Sequence, residues 1–227
     1  PSRLSDPALV DLSLAIRDHP QTMATGIISG STLEQARALW RRASEGEVQA
    51  RAGHTYAVNA PNPSANIFEG RIIPAHPPGQ IQPLTLSGLR DLLAQADYVT
   101  FTGHGSSRYW RLDEDLRFDS QDIPALGAAV VSSGACQTFR PWVASSIALR
   151  FVDQGAAAYT GFAFSPNEGY LIGAFEGFPF RYTWPDVPIG LVVQVQNRGA
   201  LRGFARIPYY YLLGDPRIAL QPEIPYQ

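Results

Sequence analysis

Hydrophobic residues recur along this chain in two rhythms, a spacing of three to four residues and short unbroken runs, and the two alternate from end to end. That alternation predicts an α/β fold on a mainly parallel sheet. Strands buried on both faces read as apolar runs, and the helices between them show one apolar face. Leu9, Leu12, Leu14 and Ile16 predict a first helix ending before Pro20, and residues 22–29 predict a short buried strand. Ser31-Thr32-Leu33-Glu34 has the form of a capping box, after which Leu33, Ala36, Leu39 and Trp40 share one helix face. A second strand is expected over residues 54–58. Residues 59–83 carry Pro61, Pro63, Pro74, Pro77, Pro78 and Pro83. They read as a wrapped loop with one edge strand, too apolar at Ile67, Phe68, Ile72 and Ile73 to be a linker.

The second half has a clearer pattern. Leu86, Leu89, Leu92 and Leu93 predict an amphipathic helix over residues 86–96. Residues 98–102 form a β-rich run that leads straight into Gly103-His104-Gly105. A short helix near 120–126 precedes a buried strand at 128–133, which ends at Gly134-Ala135-Cys136. A helix over 142–153 returns the chain to a third such strand at 156–160. Residues 161–188 make a long aromatic loop, 191–201 a helix, and 209–213 a final strand.

Length and composition narrow the class. With 227 residues, 45% hydrophobic and 17% charged, the chain supports one sizeable core, and a single domain over 1–227 is expected. All 18 positive side chains are arginine and the net charge is −2, so the basic footprint of a nucleic-acid binder is absent. No apolar run is long enough to span a membrane. The single cysteine, Cys136, excludes an internal disulfide and any multi-thiolate metal site.

His104 and Cys136 carry the candidate chemistry. Each follows a predicted strand beside glycine or alanine, and ligands of open α/β sheets bind beyond the carboxyl ends of the strands. Their separation of 32 residues suits one strand–crossover–strand unit, which makes them neighbours. A thiol needs a nearby base to become a nucleophile at neutral pH, and backbone N–H groups of Gly105 and Cys136 are suited to a developing oxyanion. Each residue also has a plain structural reading, Cys136 as a small buried hydrophobe and His104 as a hydrogen-bonded strand-end residue. Asp113, Glu114 and Asp115 lack the turn glycine and closing acid of a calcium loop, so a solvated acidic turn is expected there.

Thr102-Gly103-His104-Gly105-Ser106 with Trp110, and Ser133-Gly134-Ala135-Cys136-Gln137-Thr138, resemble the catalytic block of gingipain-type cysteine peptidases. These share a clan with caspases, legumains, clostripain and separase. The resemblance continues through residues 155–161 and Gly214-Asp215-Pro216, covering about residues 84–220. The CHAT-domain branch, with its own Ser-x-Ala-Cys-x-Thr block, is the nearest alternative.

The resemblance implies a caspase-like three-layer sandwich around a mainly parallel sheet, truncated or minimal at its N-terminal side. It implies a cysteine endopeptidase acting on a peptide or protein substrate, with Cys136 as nucleophile, His104 protonating the leaving amine, and Gly105 and Cys136 amides as oxyanion hole. The alternative is an inactive peptidase-like domain used for binding or scaffolding. Tyr159, Thr160, Gly161, Glu168 and Trp110 are expected to line the substrate site. The family's His-orienting and pocket acids find no carboxylate in residues 29–32; Glu34 is the nearest, and it reads first as the capping-box glutamate. No cofactor is implied for catalysis, calcium is allowed as a structural ion, and a secreted or cell-surface location is expected.

Overall fold

The structure, a computed structural model, describes residues 26–44, 49–51, 53–63, 67–165, 188–194, 197 and 210–221. The first helix expected over residues 9–16, most of the aromatic loop and Glu168 lie outside these.

Helix α1 (Leu33–Ser44) opens on Thr32, whose hydroxyl accepts the N–H of Gln35 at 3.2 Å. The cap is therefore one residue later than the capping-box reading placed it, and Glu34 is an exposed first-turn residue with no role in the cap. Leu39 is buried, but Leu33 and Trp40 remain 48% and 59% exposed, so the expected apolar face is only partly used. Strand β1 (Gln49–Arg51) follows, then β2 (Thr55–Asn59), β3 (Arg71–His76) and β4 (Gln82–Pro83). The stretch read as a loop with one edge strand thus contributes two strands. Pro74 is tolerated within β3 because the β2–β3 register shifts beside it, where a missing N–H costs little.

Helix α2 (Leu86–Gln95) is capped by Thr85, which accepts the Gly88 N–H at 3.0 Å, and it buries Leu89, Leu92 and Leu93. Strand β5 (Tyr98–Thr102) runs into a small antiparallel sheet of β6 (His104–Gly105), β7 (Tyr109–Arg111) and β8 (Arg117–Asp119). A 3-10 turn (Ser120–Asp122) precedes β9 (Val130–Ser133). Helix α3 (Ile147–Asp153) starts five residues later than the sequence suggests, because Ser145 has a φ of 60° and cannot continue a helix. Strand β10 (Ala158–Phe162) follows, then β11 (Tyr210–Gly214) and β12 (Ala219–Gln221), which pairs with β1.

The central sheet has seven strands in the order β11-β10-β9-β5-β2-β3-β4. Its parallel centre is β2, β5, β9 and β10, with antiparallel β11 on one side and β3 and β4 on the other. This is a mixed α/β architecture with a mostly parallel sheet, as expected. Both sheet faces are buried, so side chains alternate between two interiors. Val99, Phe101, Val131 and Tyr159 join the helices and the small sheet in one core. Within it Phe101 stacks on Trp110 at 4.4 Å, and Trp110 packs against Phe118 and Phe151 at 5.8 and 5.0 Å. This aromatic stack fixes the β6–β8 sheet to the end of β5. On the opposite face, buried hydroxyls form a chain across the strands. Tyr98 donates to Ser132 at 3.4 Å, Thr160 donates to Ser132 at 3.0 Å, and Thr160 meets the Tyr210 hydroxyl at 2.8 Å. Among the described residues no helix is long and apolar enough to cross a membrane.

Ile27, in the expected early strand, forms only an isolated bridge, parallel to Leu213 of β11. Because β11 runs antiparallel to β10, the chain leaves Ile27 toward the end where the parallel strands begin. The Ser31 hydroxyl and Asp153, at the end of α3, are hydrogen-bonded there.

Candidate active site

The parallel pairing of β5 with β9 aligns Tyr98 with Val130 and Phe101 with Ser133. His104 lies three residues beyond Phe101 and Cys136 three beyond Ser133, so both emerge at one end of the sheet from neighbouring strands. The Gly134 N–H donates to the Phe101 carbonyl at 2.7 Å and closes the two strand ends together. Glycine is required in this corner. A Cβ on Gly105 would lie 2.8 Å from Ala135 Cβ and 3.0 Å from both Thr138 Cγ2 and the Tyr109 carbonyl. A Cβ on Gly103 would lie 2.8 Å from Ala60 Cβ. The His104-Gly105 backbone therefore lies directly against the turn that carries Cys136, which brings the two expected oxyanion-hole residues to one corner. His104 is exposed and pairs across the small sheet with Arg111.

The Cys136 turn is held from below by Ser133. Its hydroxyl oxygen accepts from Trp110 Nε1 at 3.1 Å, the Thr138 hydroxyl at 3.1 Å and the Ala135 N–H at 3.3 Å. The Thr138 hydroxyl also lies 3.1 Å from the Ala135 carbonyl. Beneath them the Tyr159 hydroxyl is fully buried among Ser133, Thr138 and Trp110, and burial pushes its pKa up to about 12. From the side, the segment after Cys136 is tied to the end of β10. Phe139 N–H donates to the Phe162 carbonyl at 2.9 Å and Arg140 Nε to the Ala163 carbonyl at 3.0 Å. Gln137 takes a φ of 58°, and its Nε2 donates to the Ser165 hydroxyl at 3.0 Å. Cys136 is half-buried, and burial raises its thiol pKa above the ordinary value.

The expected substrate wall is placed differently. Trp110, Tyr159 and Thr160 are fully buried, and a Cβ on Gly161 would meet the Thr138 hydroxyl at 2.9 Å. These are core residues that support the Cys136 turn, and their side chains present no surface to a substrate. The sequence misleads here because an apolar run carries no sign of where a strand stops being covered. Glu34 lies at the opposite end of the sheet, since the chain runs from Ile27 to α1 beside Asp153 and away from His104. It cannot orient His104. The calcium-like Asp113, Glu114 and Asp115 are exposed in the β7–β8 turn, with Arg111 Nε donating to the Asp113 carbonyl at 3.1 Å.

Several residues at this end were given no role by the sequence: Ser133, Thr138 and Gln137 within the quoted motif, and Ser165 and Asn62 outside it. The cluster of small hydroxyls around a lone cysteine was the available signal for the first two. Asn62 follows β2, whose last residues are tied to β5 through the Ala60 N–H and the Thr102 carbonyl at 2.8 Å. Its side-chain oxygen is buried without a hydrogen-bond partner.

No protein-family model and no curated protein matches the sequence. Among solved structures, one described as "Structure of Protease" is similar with a TM-score of 0.39 and 17% identity, over 54% of this chain. The match spans 35% of that structure's own chain. A likeness of that size assigns neither family nor activity.

Proposed function

We propose that this chain is a cysteine endopeptidase of the gingipain type, with Cys136 as nucleophile and His104 as its acid–base partner. The supporting observation is the β5–β9 register together with the Gly105–Ala135 approach, which brings the two reactive side chains to adjacent strand ends. In the reaction the Cys136 proton passes to the His104 imidazole as the sulfur attacks the peptide carbonyl. The carbonyl oxygen gains the negative charge, and the Gly105 and Cys136 amides stabilise it. The imidazolium then protonates the leaving amine, the C–N bond breaks and a thioester remains. Water, deprotonated by His104, hydrolyses the thioester and restores the thiol. With Glu34 at the other end of the sheet, a preference for a basic residue before the scissile bond rests on Glu168 alone.

One observation favours a second reading, a peptidase-like domain that binds without cutting: burial raises the Cys136 pKa and so disfavours the reactive thiolate. Cleavage of a peptide library, read by mass spectrometry, separates the two. The peptidase reading expects discrete cleavage that falls by about 10³-fold or more in Cys136→Ala and in His104→Ala. Absence of cleavage, with iodoacetamide labelling at pH 6 no faster than free cysteine, would establish the silent domain.

A further inference from the structure

The register of the small β6–β8 sheet decides what its outer face presents. His104 lies opposite Arg111, and Arg111 opposite Arg117. The alternate residues Trp110 and Phe118 are fully buried, so His104, Arg111 and Arg117 form one exposed row on the other face. Neighbouring strands are about 4.8 Å apart, which puts two arginines on strands within about 10 Å of the candidate acid–base histidine. Among the described residues neither guanidinium forms an ion pair. Arg111 Nε donates to the Asp113 carbonyl at 3.1 Å and Nη2 to the Glu114 carbonyl at 3.5 Å, bonds to backbone that leave its charge unmatched. The Arg117 guanidinium lies over the Tyr109 ring at 4.5 Å, drawn along the sheet away from the acidic turn. Stacking covers one face of a guanidinium and leaves its in-plane N–H groups for a carboxylate.

We infer that this row is a subsite for acidic side chains of a peptide substrate, in the segment that follows the scissile bond. The inference rests on the reading of His104 as the group that protonates the leaving amine. That role puts the departing segment on the His104 side of the corner, and the exposed surface continuing from His104 across the small sheet is the arginine row. An extended peptide turns every second side chain toward the surface it lies on. A carboxylate that reaches the Arg117 guanidinium gains charge-assisted N–H···O bonds, and charge complementarity of this kind sets specificity more than raw affinity. The turn acids Asp113, Glu114 and Asp115 lie at one end of the row and Asp119 beside Tyr109 at the other. The Asp113 carboxylate accepts the Glu114 N–H, so it is turned to its own backbone. With acids on both sides the positive strip is narrow, which suits one or two carboxylates and not a polyanion.

Binding and cleavage by the full chain test this. In Cys136→Ala, where cutting is removed, short fluorescein-labelled Ala/Ser peptides carrying paired Asp, paired Lys or no charge are titrated by anisotropy. At about 50 mM salt the Asp peptide is expected to bind about threefold to tenfold more tightly than the neutral one, and at about 500 mM salt the difference should vanish. Adding Arg117→Gln should reduce the preference about twofold to fivefold, and adding Arg111→Gln as well should abolish it. Circular dichroism melts compare the variants, and Arg117→Gln, at an exposed strand position, decides the case if the double substitution unfolds the protein. In the wild type, peptide-library cleavage should enrich Asp and Glu over Lys and Arg just after the cut. Neutral or Lys peptides bound as tightly as the Asp peptide would overturn the inference. So would a preference that survives loss of the arginines, or discrete cleavage with no acidic enrichment after the cut. The peptidase reading fails separately: wild-type protein that cuts no peptide, with the arginine-dependent preference intact, would remove the reaction and keep the acidic-peptide surface.

Discussion

Where the parallel strands begin, buried and half-buried carboxylates are partnered; where they finish, polar groups are hydrogen-bonded and the ion pair described there, Arg71 with Glu69 at 2.9 Å, is exposed. At the first end the His54 N–H donates to Asp97 at 2.8 Å, Arg42 donates to the Val152 carbonyl at 2.9 Å beside Asp153, and Arg217 grips Asp215 at 2.7 Å. The positive φ values there fall on glycines, 116° at Gly155 and 131° at Gly214. At the other end they fall on Gln137 and Ser145, 58° and 60°, and His104 stands exposed. One end thus uses residues that suit its turns, and the other keeps unfavourable ones. Strain of this kind persists where surrounding structure over-determines it, and it is characteristic of functional corners.

The sharpest way to break the contrast is to exchange backbone freedom between the ends. A Cβ on Gly214 would lie 2.8 Å from the Ala157 carbonyl, and one on Gly155 only 2.6 Å from the Leu126 carbonyl. Adding it also forces a side chain into a backbone region that L-residues avoid. Gly155→Ala and Gly214→Ala should each destabilise the fold by about 1–3 kcal/mol, measured by urea unfolding. In the folded fraction, Cys136 labelling should be unchanged. A loss of stability below about 0.5 kcal/mol in both would mean that the glycines are incidental to these turns.

The reverse exchange has a smaller effect of opposite sign. Gln137→Gly removes the left-handed penalty but adds unfolded-state entropy, so the net gain should be at most about 1 kcal/mol. A stability loss of more than about 1 kcal/mol would show that Gln137 contributes packing and not strain.

How much of this was legible beforehand follows the same division. Strands β5, β9 and β10 and helix α2 were visible because each carries a local rhythm: an apolar run bounded by glycine, or leucines at 86, 89, 92 and 93. The shared strand end of His104 and Cys136 followed from topology rules alone. Non-local pairing was hidden. Nothing near Ile27 indicates that it meets Leu213, so the end of the sheet to which Glu34 belongs was not readable from the residues. The fate of Trp110 and Tyr159 was equally hidden. An aromatic beside the His104 and Cys136 segments suits a pocket wall or a core stack, and only the stack on Phe101 and the burial of both side chains decide it. Strand β3 was obscured by Pro74, which lies where a register shift removes the need for its N–H.

The smallest effect concerns the charges at the quiet end. The Asp215 carboxylate accepts the Arg217 N–H at 2.8 Å and its guanidinium at 2.7 and 3.1 Å. Despite burial, which pushes the other way, these bonds bring the Asp215 pKa below its ordinary 3.8. The unfolded chain then binds the proton more readily than the folded one, so this pair's contribution is complete above about pH 4 and is lost as pH falls through the depressed value. Asp153 has the opposite sign. Burial raises its pKa despite Ser31, Arg150 and Arg42, so its ionisation opposes folding as pH rises from the ordinary carboxylate range. Asp215→Asn should therefore lower the thermal midpoint slightly at pH 7 and flatten its fall below pH 4, while Asp153→Asn should change the slope in the other direction. Scanning the midpoint of both variants between pH 3 and 7 tests this. Equal slopes in the two would mean that the partnered charges at this end do not differ in the way their surroundings require. Neither substitution should alter the pH profile of Cys136 labelling, because the sheet separates these carboxylates from the corner that holds the sulfur.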